Sequence, residues 1–134
     1  MKPIQEIYPL LTQQPRNIVI TTHQKPDADA MGSSLALLHF LKKFGHTVKV
    51  ISPTNWAKWL DWMPGCDEVI DFDFNRQLAN ETLEAADWLF CLDFNIFYRT
   101  KTMTERLKNL PVPRYLLIIT ANPIPLLLIM APAM

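Results

Sequence analysis

Residues 17–52 narrow the fold more than any other part of the chain. NIVITTH, residues 17–23, sets Ile18, Val19 and Ile20 side by side. An unbroken apolar run of this length predicts a strand buried on both faces. Downstream, Met31, Leu35, Leu38 and Leu41 recur at helical spacing, and Leu37 and Phe44 widen the stripe. That pattern predicts a helix reaching about residue 44. Asp29 or a residue beside it can cap its start, and Gly45 stops it. HTVKVIS, residues 46–52, predicts a second strand, ended by Pro53. Strand, helix and strand in this order form the βαβ unit of a parallel sheet.

The alternation continues. DEVIDFD (67–73) predicts a strand, RQLANETLEAAD (76–87) a helix, and DWLFCLDFN (87–95) a strongly apolar strand ending in an aspartate. Residues 96–110 suit a polar helix with Tyr98, Met103 and Leu107 inward, and Tyr115 to Ile119 one more strand. The expected fold class is α/β: a doubly wound, mainly parallel sheet with helices on both faces. Between the second and third strands lies NWAKWLDWMPG, with Trp56, Trp59 and Trp62 three residues apart. This spacing places them along one side of a short helix. They could form a stacking platform for bases, but an aromatic stripe at this spacing more often packs on a sheet or faces a partner.

Composition sets limits on function. Thirteen basic and thirteen acidic residues give a formal net charge of zero, which argues against binding nucleic acid by bulk charge alone. A hydrophobic content of 49% is enough to build a core and too high for a disordered chain. Cys66 and Cys91 belong to no CxxC pair and read as buried thiols of a reducing cytosol. With no basic segment leading into an apolar one at the N-terminus, a cytoplasmic location and no membrane are expected.

The chemistry gathers at strand ends, where ligands bind in open α/β sheets. The first strand leads into His23, Asp27 and Asp29, and the strand from residue 87 ends in Asp93. Several carboxylates on one rim repel each other unless cations sit between them. A histidine among oxygen ligands tips the choice toward manganese, iron or zinc. If the backbone is extended there, Asp27 and Asp29 point the same way and could grip neighbouring metals. Pro26 would hold the turn, Gly32 would let the helix start pack closely on a loop or ligand, and Ser33 and Ser34 would offer hydroxyls to an anion. Singly, each acid reads as a cap; Asp93 or Asn95 could simply cap a helix. His39 and His46 read as surface or satisfied residues. The first βα turn has no GxGxxG, which disfavours a dinucleotide-dependent dehydrogenase.

HQKPDADAMGSSLAL, residues 23–37, resembles the first motif of the DHH phosphoesterase family. His23, Pro26, Asp27, Asp29, Gly32 and Ser33 match, and Ala28 stands where glycine is common. LDFNIFYR, with Asp93, Asn95 and Arg99, resembles the second motif. The likeness covers about residues 1–118 and is nearest to bacterial bifunctional oligoribonucleases that also dephosphorylate 3′-phosphoadenosine 5′-phosphate. It implies two manganese ions. His23 and Asp27 would bind one, Asp29 the other, and Asp93 would bridge them. It further implies hydrolysis of short RNA or nucleotide substrates by a two-manganese hydroxide mechanism, with Asp29, Asp93 and Arg99 catalytic. Within the family, cyclic dinucleotides or single-stranded DNA ends are alternative substrates. Outside catalysis, the alternative is a nucleotide-binding fragment that forms a homodimer through the tryptophan segment or the tail.

The chain departs from the family at its end. No Asp-His-His occurs anywhere in it, nor does the later acidic ligand or the substrate-binding domain. Residues 119–134, beginning Ile-Thr where Asp-His-His would follow a strand, form an apolar, proline-rich, uncharged tail. A frameshift or truncation is one expectation; an apolar contact with a partner is the other. On either, a complete two-metal reaction by this chain alone is not expected, and one ion or none would bind.

Overall fold

The computed structural model describes Pro9, residues 12–92 and 103–109, and the backbone of 114–118 and 126–130. Strand β1 (Asn17–Thr21) is followed by helix α1 (Ala28–Lys42) and strand β2 (Thr47–Ser52), and the two strands pair in parallel. Then come β3 (Ile70–Asp71), α2 (Arg76–Glu84), β4 (Trp88–Leu92), α3 (Thr104–Lys108), β5 (Arg114–Ile118) and β6 (Leu126–Met130). The sheet order is β3-β2-β1-β4-β5-β6. The first five strands are parallel, and β6 lies antiparallel to β5. The expected α/β class and doubly wound topology are therefore observed.

Strand alternation divides the core in two. On one face of the sheet Ile18, Ile20, Val48, Val50, Trp88 and Phe90 meet Met31, Leu35, Leu38 and Leu41 of α1. On the other, Val19, Ile51, Leu89 and Cys91 meet Ala79 and Leu83 of α2, Leu107 of α3 and Met103 at its N-cap. Every residue of β4 is buried, as its uninterrupted apolar sequence requires of a strand covered on both sides. The start of β4 is latched to β1: the Asn17 amide donates to Asp87 Oδ2 at 2.8 Å, and the Asp87 amide returns a bond to the Asn17 carbonyl at 2.7 Å.

Two expectations change. DEVIDFD yields only the two residues of β3, because Cys66–Glu68 forms a 3-10 turn and Asp71 Oδ1 accepts the amides of Asp73 and Phe74, closing a side-chain turn. The tryptophan segment is not a helix on the sheet. Only Lys58–Leu60 turns, as one 3-10 turn, and Trp59 and Trp62 are 65% and 71% exposed. Within the apolar tail, Leu126–Met130 pairs with β5 as an edge strand. Tyr98, expected inward, lies outside the described residues. Among the described residues no helix is long and apolar enough to cross a membrane.

Candidate functional site

The chain runs β1, β2, β3 outward in one direction, then returns to lay β4 on the other side of β1. The order reverses between β1 and β4, and the crevice at the carboxyl ends of those two strands is the position where such sheets bind ligands. The loop leaving β1 carries His23, Lys25, Pro26 and Asp27.

His23 is 7% exposed. Its Nδ1 lies 2.7 Å from the Gln24 carbonyl oxygen. A carbonyl only accepts, so Nδ1 carries the hydrogen, and in the neutral ring Nε2 carries the lone pair. Metal-ligating histidines commonly have this arrangement, with the ring oriented through the other nitrogen. Asp27 is the N-cap of α1: its backbone is extended, and its Oδ1 accepts the Ala30 amide at 2.9 Å. The cap therefore falls two residues before Asp29, which with its immediate neighbours is the expected capping position. Asp29, however, is already the second helical residue, so the extended-chain alternation expected for Asp27 and Asp29 does not hold. Both carboxylates are on exposed residues.

The small residues of the motif also behave differently. Among the described residues a Cβ at Gly32 would meet nothing within 4 Å, so none of them explains that glycine. The Ser34 hydroxyl donates to the Ala30 carbonyl at 2.8 Å, and the Ser33 hydroxyl donates to the Asp29 carbonyl. Each spends its one hydrogen on its own helix rather than offering it to an anion. His46 Nδ1 accepts the Arg16 amide at 3.0 Å, and His39 Nε2 donates to the Pro64 carbonyl at 2.9 Å; both are structural, as expected. Cys66 and Cys91 are both buried. Burial, then the nearby Asp61 carboxylate, pushes the Cys66 thiol above the ordinary range.

Asp93, Asn95 and Arg99 lie outside the described residues. Among the described residues no group of three histidine, cysteine or acidic side chains is placed to hold a metal ion. His23, Asp27 and Asp29 share one loop and helix start. By donor chemistry, an oriented imidazole and two carboxylates fit a divalent cation of the manganese, iron or zinc type.

Sequence reasoning missed the link between this loop and the one after β2. Lys25 has φ 47°, left-handed and uncommon for a residue with a side chain. Its amide donates to Thr54 Oγ1 at 2.7 Å, tying the two loops together. Beside the tie opens a cavity of about 510 Å³, walled by Lys25, Asp27, Asn55, Trp56, Trp59 and Leu60 among others. No sequence signal marks Lys25; the tryptophan spacing was the only sign of the cavity's walls.

Residues 17–114 match the DHH family, N-terminal domain. A solved structure of an exopolyphosphatase-related protein from Bacteroides fragilis is similar to this chain, with a TM-score of 0.81 and 32% identity. The match covers 89% of this chain and 35% of that one, so this chain spans about a third of that protein's length. No curated protein matches.

Proposed function

The chain belongs to the DHH family of phosphoesterases, matched over residues 17–114, and from that premise we propose that it is the N-terminal part of a manganese-dependent enzyme that hydrolyses short oligoribonucleotides and phosphoadenosine phosphate. The observation that carries this reading is the position and bonding of His23. It stands at the carboxyl end of β1, beside the reversal of strand order, with its ring set by the Gln24 carbonyl. In the family's arrangement His23 and Asp27 would hold one ion, Asp29 a second, and Asp93 both; this chain, which lacks Asp-His-His, would hold one ion or none. The chemistry manganese supplies when bound is activation of water and neutralisation of charge on phosphoryl oxygens.

The chain's own residues do the rest. His23 keeps its donor hydrogen on Nδ1 and so its basic nitrogen at Nε2. Asp27 divides its carboxylate, one oxygen on the Ala30 amide and the other left for a cation. Lys25, fixed by Thr54 on the cavity wall, brings an ammonium to meet a phosphate. Arg99 steadies a phosphate. Without Asp-His-His in the sequence, the site holds fewer ligands than the family's, and turnover by this chain alone is slow or absent.

The test is hydrolysis of a ribodinucleotide and of phosphoadenosine phosphate by this chain with manganese, with Asp93→Ala as control. Inorganic tripolyphosphate is a third substrate, because the similar solved structure is described as exopolyphosphatase-related. Turnover of the nucleotides that disappears in Asp93→Ala supports the reading. Turnover that survives Asp93→Ala removes the ligand set, and hydrolysis of tripolyphosphate alone replaces the substrate class.

A further inference from the structure

The cavity beside the candidate metal ligands has walls that metal chemistry does not require. Trp59 is 65% exposed although it is the largest of the side chains, and one of its surroundings is this opening of about 510 Å³. That volume falls within the roughly 300–1,000 Å³ of small-molecule sites. Trp56 forms another wall. It packs partly against the core, and its indole N–H donates to Asp61 Oδ1 at 2.9 Å, so the ring is held in place before any ligand arrives. Leu60, 1% exposed, belongs to both the core and the cavity lining, which anchors the turn that presents Trp59. Lining the cavity beside these apolar residues are three polar residues of different kinds, Lys25, Asn55 and Asp27.

We infer that this cavity is a base-stacking subsite, in which Trp59 and Trp56 receive the base of a nucleotide whose phosphate lies toward Lys25 and Asp27. The position of the phosphate rests on the phosphoesterase reading above. Three features favour a base over other occupants. Indole faces stack on any base, whatever its sequence, because every base has a π-face. The Asn55 amide has both a donor and an acceptor, the pair needed to meet a base edge. Lys25 supplies the opposite charge for the phosphate that follows the base. A bare polyphosphate would use the ammonium and leave both indoles idle. Asp27 joins the two halves, since it lines the cavity and also stands among the candidate metal ligands. The subsite would therefore set which end of a short nucleotide reaches the metals, and would make the enzyme prefer substrates that carry a base. The Lys25–Thr54 bond keeps the two loops that build it at a fixed separation.

Equilibrium binding of adenosine 5′-monophosphate and of ribose 5-phosphate tests the subsite without turnover. The two probes share sugar and phosphate and differ by the base. The comparison uses the unaltered chain, Trp59→Ala and Trp59→Phe, each checked for folding by circular dichroism. The exposed position of Trp59 makes both substitutions mild for the fold. The unaltered chain should bind the adenosine probe about tenfold or more tighter than the ribose probe. Trp59→Ala should erase most of that ratio while leaving ribose 5-phosphate binding unchanged, and Trp59→Phe should restore most of it. Equal binding of the two probes by the unaltered chain overturns the inference. So does an unchanged ratio in Trp59→Ala, or binding of neither probe. The hydrolysis assay fails separately: base-selective binding together with turnover that survives Asp93→Ala keeps the subsite and removes the phosphoesterase ligand set, and Asp93-dependent turnover without base selectivity does the reverse.

Discussion

At the scale of single residues, Asp27 carries two tasks that a substitution can separate. Its Oδ1 caps α1, and its charge is offered to a cation. Asparagine caps about as well as aspartate but has no charge, whereas alanine does neither. Asp27→Asn should therefore leave thermal stability close to that of the unaltered chain, while Asp27→Ala loses about 0.5–2 kcal/mol. Manganese affinity, read by titration calorimetry, should fall in both. An Asp27→Asn chain that binds manganese as before would show that Asp27 is a cap and nothing more. The motif residues His23, Asp27 and Asp29 could be picked out from the sequence because their kinds are rare together after a buried strand. Their geometry could not. Whether Asp29 lies in extended or helical backbone depends on where the cap falls, and any of several neighbours could have taken that role. The hydroxyls of Ser33 and Ser34 likewise had two acceptors open to them, an outside anion or their own helix, and sequence does not choose between these.

At the scale of elements, the strongest periodic segments were legible and the short ones were not. α1 and β1, β2 and β4 follow directly from apolar spacing, since burial on one stripe or on both faces leaves a pattern that local context rarely overrides. β3 shrank to two residues because one side chain, Asp71, turns the backbone away. The tryptophan segment misled because a spacing of three is shared by a buried helical stripe and by a 3-10 turn that leaves its rings in water. The junction of β1 and β4 makes its own prediction. Asp87→Ala removes the acceptor of the Asn17 amide, a hydrogen bond to a charged group worth about 1.5–3 kcal/mol when buried and less at this exposed position. A loss of about 1 kcal/mol in urea denaturation is expected. No measurable change would mean water replaces the carboxylate without cost.

At the scale of the whole molecule, the sheet separates two cores that share no side chain among the described residues. Ile18→Val on the α1 side and Ile51→Val on the α2 side should each cost about 0.5–1.5 kcal/mol. The double variant should lose their sum to within about 0.5 kcal/mol, because distant sites without common partners add. A larger discrepancy would show that strain crosses the sheet. The same arrangement has a consequence in time. β1 is the first strand of the sheet to be made, yet it is interior to it, and its second neighbour arrives much later: Ile18 pairs with Trp88, 88 − 18 = 70 positions on. At about 5–20 residues per second of synthesis, one edge of β1 waits roughly 4–14 seconds for its partner. During that interval the nascent βαβ unit presents an open row of amides and carbonyls flanked by isoleucine and valine, the kind of edge on which other chains pair. The finished sheet thus depends on a few seconds in which its central strand is its outermost one.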